Sequence, residues 1–113
     1  MRRVLCWAIL LAGWAATASA ADRFVAYNNT STTDFDGLYM APAGTGQWGP
    51  NQVLSDKDKV LDHGERLRLS GITRGQYDVK VTFGPGRSCI RRGVDLTADL
   101  SFDLRDDDLT GCR

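Results

Sequence analysis

The sequence contains a single histidine, His63, and three cysteines among its 113 residues. One histidine offers none of the ligand spacings of a zinc site, so we expect no metal and no cofactor. His63 lies between Asp62 and Gly64 in a predicted surface turn, and no G-x-S-x-G nucleophile motif is present. These absences predict a protein that is not an enzyme and has no catalytic residues, with an uncharacterised hydrolase as the alternative.

The chain also lacks an apolar run long enough to cross a membrane, which takes about 20 residues. Its one apolar run, Leu5 to Ala16, follows Arg2 and Arg3 and precedes the small residues Ala18-Ser19-Ala20. These are the three parts of a Sec-type secretory signal peptide. We therefore predict a signal peptide helix over residues 1–20, and one periplasmic or secreted domain over residues 21–113 with no stable membrane span after cleavage.

No excess of either charge is present, because 14 basic residues balance 14 acidic ones. Loss of Arg2 and Arg3 with the signal would leave 12 basic and 14 acidic groups. A general nucleic-acid binder needs a basic face, so the balance argues against a nucleic-acid partner. Trp48 would be the one tryptophan left, in a domain that has material for only a thin core.

Two cysteines remain beyond the predicted signal, Cys89 and Cys112, whereas Cys6 lies within it. An isolated even pair in an oxidising compartment predicts a disulfide. The bridge would close a loop of 22 intervening residues, which the chain-entropy model values at roughly 3 kcal/mol. It would also hold the polar C-terminal tail, which otherwise has little reason to be ordered.

Apolar and polar residues alternate with a period of two through most of the predicted domain, and no sustained helical stripe occurs. The pattern predicts six or seven short strands in an all-β fold: a small antiparallel β-sandwich of Ig-like or Greek-key type, with a small β-barrel as the alternative. Gly84-Pro85-Gly86 predicts a hairpin, and Gln52 to Leu61 predicts one short helical turn. The predicted strands are Phe24 to Tyr27, Gly37 to Ala41, a run around Leu67 and Leu69, Tyr77 to Phe83, a run from near Ser88, and Val94 to Leu104, the last as one long strand or two with a bend near Ala98-Asp99.

Trp48 is the most prominent candidate for a binding residue. It lies in the glycine-rich segment Gly44 to Pro50, a mobile setting for a large aromatic side chain. An exposed loop tryptophan would anchor a sugar or a protein. The alternative, which the small core favours, is that its ring folds back and plugs one end of the sandwich.

Arginines form a second candidate binding group. Three of them flank Cys89, namely Arg87, Arg91 and Arg92. If their strand neighbours the one that carries Arg66, Arg68 and Arg74, the six could form a cationic face for a sulfate, a phosphate or an acidic glycan. The favoured alternative is cross-strand pairing with carboxylates on the solvent face, of which the sequence offers Asp78, Asp95 and Asp103.

Several short motifs resemble those of a group of small exported bacterial β-domain proteins of uncharacterised function. They are Asn28-Asn29-Thr30, Leu38-Tyr39-Met40-Ala41-Pro42, Trp48-Gly49-Pro50-Asn51-Gln52-Val53-Leu54 and Tyr77-Asp78-Val79-Lys80-Val81-Thr82-Phe83. The resemblance implies an exported, mostly β domain and brings no established activity. The cysteine placement departs from it, since the group has a cysteine before the Y-D-V strand, where this chain has Gly75-Gln76.

Taken together, these features predict a non-catalytic exported domain that acts as a binding or structural module. Its partner would be an envelope or extracellular protein or glycan of unknown identity. The alternative function is inhibition of a secreted hydrolase such as lysozyme or a protease, which a rigid disulfide-closed loop would suit. Ser70-Gly71 and Tyr77 occur, but their separation differs from the periplasmic lysozyme-inhibitor pattern.

Overall fold

Six strands form two three-stranded sheets in the computed structural model, which describes residues 23–110 and 112–113. Sheet I has the strand order β3-β1-β6, and sheet II has the order β2-β4-β5. The predicted signal peptide lies outside the described residues. The elements are β1 (Val25–Asn29), β2 (Gly37–Pro42), the 3₁₀ turn η1 (Gln52–Ser55), β3 (Arg66–Arg68), β4 (Gln76–Phe83), β5 (Arg87–Asp95), β6 (Ser101–Arg105) and the 3₁₀ turn η2 (Asp106–Leu109).

The predicted β-sandwich is confirmed, with one parallel pair among the antiparallel ones. β1 pairs antiparallel with β3, and β4 pairs antiparallel with both β2 and β5. β6 instead runs parallel to β1, from Val25 opposite Ser101 to Asn29 opposite Arg105. No hairpin turn joins these two strands, because the chain reaches β6 by crossing from β5 in the other sheet, so a parallel direction is available to it.

The alternating run from Val94 to Leu104 belongs to two strands, which was one of the two predicted possibilities. Val94 and Leu96 are buried at its start, and Phe102 and Leu104 are buried at its end. Leu100 between them is 44% exposed. The alternation fails at this point because the chain leaves sheet II after Asp95 and enters sheet I only at Ser101.

The inward faces of both sheets supply one core. Its largest fully buried apolar side chains come from strands and from the segments between them: Phe24, Phe35, Leu38, Val53, Leu61, Val79, Leu96 and Leu104. Each such side chain stabilises the fold by about 1.5–3 kcal/mol when it leaves water. An isolated bridge between Phe35 and Leu61 joins the connection between β1 and β2 to the connection between β2 and β3.

Asn28 fixes the polar turn that follows β1. Its side chain is fully buried, and its amide nitrogen donates to the carbonyl oxygens of Thr33 at 2.8 Å and Leu61 at 2.9 Å. Its amide oxygen accepts from the hydroxyl of Thr30 at 2.7 Å and from the backbone N–H of the same residue at 3.2 Å. The Asn-Asn-Thr segment therefore has a structural role, since every polar atom of the buried amide has a partner.

The predicted disulfide joins Cys89 on β5 to Cys112, with their Cα atoms 4.5 Å apart. Beside it, Ser88 and Arg113 exchange two backbone hydrogen bonds of 2.7 and 2.9 Å. These hydrogen bonds attach the C-terminal residues to the free edge of β5, and the bridge holds the tail as expected.

Candidate functional site

Trp48 lies over the outer face of sheet II, outside the core. Its ring is half-buried, and the ammonium of Lys80 lies 4.9 Å from the ring centroid. Lys80 points outward because it alternates along β4 with Val79 and Val81, which are buried. The interpretation of Trp48 as a plug at one end of the sandwich is therefore wrong: the loop crosses the solvent side of sheet II, where Lys80 offers the ring a cationic support.

Tyr39 completes a cation–π cluster around the same ammonium. It lies opposite Lys80 in the β2–β4 pairing, and its ring centroid is 5.1 Å from the Lys80 nitrogen. Ile90 lies opposite Lys80 on the other side and is 43% exposed. We call Tyr39, Trp48, Lys80 and Ile90 the Trp48 patch. Each cation–π contact contributes about 0.5–1 kcal/mol at an exposed site, enough to orient the indole.

The second half of the Trp48 loop is held by hydrogen bonds to β2. The N–H of Gly49 donates to the carbonyl of Met40 at 2.8 Å. The side-chain oxygen of Asn51 accepts from the N–H of Leu38 at 3.1 Å and from that of Val53 at 3.0 Å, which also caps η1. The glycine-rich composition predicted mobility, but these contacts fix the loop on the edge of sheet II.

The first half of the loop is held by Asp78, a carboxylate on the outer face of β4 that is only 3% exposed. It accepts from the N–H of Gly44 at 3.0 Å, from the N–H of Gly93 at 3.2 Å and from the Arg92 guanidinium at 3.0 Å. The Gly44 N–H contributes most to lowering the pKa of Asp78, and the Gly93 N–H and the charge of Arg92 lower it further, whereas burial opposes them. Asp78 is therefore an anion that ties the loop to a β-bulge.

The bulge itself explains how Asp78 reaches its partners. The register between β4 and β5 shifts between Tyr77 and Val79, so Arg92 and Gly93 together lie opposite Asp78. Gly93 has φ of 71°, a left-handed conformation that suits glycine at a bulge. Its N–H thereby turns toward the carboxylate of Asp78.

The three arginines predicted around Cys89 do not share a face. Arg87 lies over the ring of Phe83, 5.6 Å from its centroid, at the hairpin end of β5. Arg92 pairs with Asp78, which is the cross-strand pairing favoured as the alternative. Arg91 donates to the carbonyl of Asp103 across the gap between the sheets and lies 3.7 Å from an oxygen of Asp108. Arg66 and Arg68 belong to sheet I and so cannot join them.

His63 has the carboxylate partner that the sequence could not identify. Its Nδ1 lies 2.7 Å from an Asp34 oxygen, which also accepts the backbone N–H of His63 at 2.9 Å. These two hydrogen bonds, the backbone one first, lower the pKa of Asp34. Both side chains are about half exposed. The pair has the form of a base and its orienting acid, but no sequence motif or contact supplies a nucleophile.

Sequence reasoning singled out Trp48 and named Asp78 as a partner for an arginine, but it missed Tyr39 and Lys80, and it missed the contact of Asp78 with the Trp48 loop. The signal that would have found Lys80 and Asp78 is the alternation of β4, which directs both outward beside the buried Val79. To identify Tyr39 as a neighbour of Lys80, the pairing register between β2 and β4 is needed as well. Asp34 as partner of His63 left no local signal, because 28 residues separate them in the chain.

Within residues 23–110 and 112–113, no three metal-ligating side chains cluster in a way that could hold an ion. Over the same residues, no helix has the length and apolarity to cross a bilayer. The chain has no match among protein-family models, curated proteins or solved structures.

Proposed function

We propose that the protein is an exported, non-catalytic β-sandwich domain that binds an envelope or extracellular partner through the Trp48 patch. The observation that carries the proposal is the fixed Trp48 loop: an indole and a phenol ring both lie against Lys80 on the outer face of sheet II, beside the exposed Ile90. Large aromatic side chains and exposed apolar side chains held in one conformation are typical of contact anchors.

The loop is prepared for binding before a partner arrives. Asp78 holds Gly44, and Met40 holds Gly49, so the Trp48 ring is presented by a segment attached on both sides. Ordering a free loop would cost conformational entropy on association, and this cost is reduced when the loop is already fixed. A disulfide and the signal-like N-terminal sequence support export to an oxidising compartment.

The test uses wild-type protein and Trp48→Ala as baits to capture partners from an envelope extract. The affinity of each protein for the recovered partner or glycan is then measured by titration. We expect at least a tenfold loss of affinity with only a small change in melting temperature, because the ring lies outside the core. Leu54→Ala is the control, since this side chain is 58% exposed and lies outside the patch. A collapse of thermal stability in Trp48→Ala, or unchanged binding, would overturn the proposal.

Inhibition of a secreted hydrolase is the second candidate, favoured by the rigid end of β5. There Cys89 is bridged to Cys112, and Ser88 is paired with Arg113, so the hairpin before it projects from a fixed base. Assaying the purified protein at micromolar excess against lysozymes and proteases tests this candidate. No effect on any of these enzymes would reject it and leave the Trp48 proposal untouched.

A further inference from the structure

The outer face of sheet I carries four arginines, of which only Arg66 and Arg68 were considered from the sequence, and those as neighbours of the arginines on β5. Outward positions of β1 alternate with buried Phe24, Ala26 and Asn28. By cross-strand register, Arg68 lies opposite Val25, Arg66 lies opposite Tyr27, and Arg105 lies opposite Asn29. Arg23 precedes these levels by two residues, and alternation with Phe24 places it on the same face. We call Arg23, Arg68, Arg66 and Arg105 the arginine row.

The row follows the direction of β1 in a band about 10 Å wide, because Arg66 and Arg68 lie on β3 on one side of β1 and Arg105 lies on β6 on the other. One arginine lies at each of the three outward levels of β1 and Arg23 lies one level before them, and successive levels are about 7 Å apart because a strand rises about 3.3–3.4 Å per residue. The four positions therefore span roughly 20 Å along one strand direction. All four side chains belong to exposed residues. Such a row presents repeated charges to a linear molecule better than it encloses a single small ion.

Most of this charge is not neutralised within the protein. Among residues 23–110 and 112–113, no carboxylate lies within ion-pair distance of Arg23, Arg66 or Arg68, and Arg66 instead lies 4.5 Å from the centroid of the Tyr27 ring. Only Arg105 has an acidic partner, Asp103, at 3.4 Å. Asp103 lies opposite Tyr27 on the same outer face and is the one carboxylate among the residues of β1, β3 and β6, so it offsets part of the charge of the row.

We propose that the arginine row binds a linear acidic polysaccharide, through a surface separate from the Trp48 patch. Charge complementarity selects an anionic occupant, and the regular spacing over four levels selects an extended polymer with repeated carboxylate or sulfate groups. Guanidinium groups suit such anions because they donate two parallel hydrogen bonds to one carboxylate or sulfate.

The experiment titrates the purified protein with heparin and with alginate at several salt concentrations, with neutral dextran as the negative control. Arg66→Gln/Arg68→Gln should weaken binding at least tenfold at low salt. It should also make the dependence of log affinity on log salt less steep, because two ionic contacts are lost. Lys57→Gln/Arg87→Gln removes the same charge elsewhere and should change the affinity less than twofold.

Two further variants keep the outcome interpretable. Arg23→Gln lies before β1 and should lower the affinity about threefold even if the double variant fails to fold. Trp48→Ala should bind both polysaccharides as the wild type does, so failure of the arginine row and failure of the Trp48 proposal are distinguishable.

Four results would overturn the proposal. The first is no binding of the wild type to either polysaccharide, and the second is equal weakening by the Lys57→Gln/Arg87→Gln control. The third is binding only to phosphatidylglycerol vesicles, which would make the row a membrane contact. The fourth is full competition by millimolar inorganic phosphate, which would indicate a site for a single anion.

Discussion

Replacing Asp78 with alanine should destabilise the domain and release the Trp48 loop. The substitution leaves the N–H groups of Gly44 and Gly93 without their acceptor, at about 1–3 kcal/mol for each donor that water does not reach. Loss of the contact with Arg92 adds little, since that side chain is 67% exposed and can be hydrated. Because both glycines are exposed residues, we expect a total of about 2–4 kcal/mol, toward the low end of the range for two donors.

The assay is thermal and chemical unfolding combined with tryptophan emission, using protein that lacks residues 1–20 so that Trp48 is the single tryptophan. A loss of this size should lower the melting temperature by roughly 10–25 °C in a domain of about 90 residues. The emission of the folded variant should shift to the red as the Gly44 end of the loop detaches. Asp78→Asn retains an acceptor oxygen and should have about half the effect, while Asp99→Ala in an exposed loop is the control.

The pH dependence gives a second measurement of the same contact. The folded-state pKa of Asp78 is below the usual 3.8 of an aspartate, so the stability that the carboxylate adds is fully present above pH 3.8 and is lost as the pH falls through the folded pKa. The unfolding free energies of wild type and Asp78→Asn should therefore converge below pH 3.8. If Asp78→Ala unfolds within about 0.5 kcal/mol of wild type, the size of an ordinary surface substitution, and its emission is unchanged, the assigned role is refuted.

Three further substitutions test other parts of the fold and the surface dyad. Replacing Cys89 and Cys112 together with alanine should lower the unfolding free energy by about 3 kcal/mol, because the bridge closes a loop of 22 residues; an unchanged denaturant midpoint would contradict this. Asn28→Ala should cost about 1–3 kcal/mol in a urea titration, since the buried N–H of Thr30 loses its acceptor while the carbonyls of Thr33 and Leu61 each keep one other donor, and a neutral result would show that water replaces the amide. In His63→Ala the pKa of Asp34 should rise yet stay below 3.8, because the larger cause is the backbone N–H that alanine retains; carbon NMR would show a full return to 3.8 if the imidazole were responsible instead.

Local patterns in the sequence were sufficient for most of the strands. Gly84-Pro85-Gly86 between two alternating runs identified the β4–β5 hairpin, since turn residues and a period of two act over a few positions. The pairing of β1 with β6 was not predictable, because Val25 and Ser101 are far apart in the chain. Alternation is also identical in parallel and antiparallel strands, so it carries no information on direction.

The candidate site was only partly predictable for a related reason. Trp48 stood out by composition alone, but its support by Lys80 depends on how a loop from β2 folds back over β4. The pairing of Asp78 with Arg92 depends on a bulge of one residue, and without that extra residue the two strands would align differently. Side-chain sets that form across strands therefore need the register, whereas single prominent side chains do not.

The total charge of the chain also failed to predict how charges are distributed over the surface. Equal totals of basic and acidic residues predicted that arginines would be neutralised across strands, and Arg92 conforms to this. On sheet I, however, Arg66 and Arg68 occupy outward positions of a strand that contains no acidic residue. The net charge of the whole chain sums over separate surfaces, and the outer faces of the two sheets point in opposite directions. The near-zero sum is therefore compatible with a face on sheet I where four arginines accompany one carboxylate, Asp103.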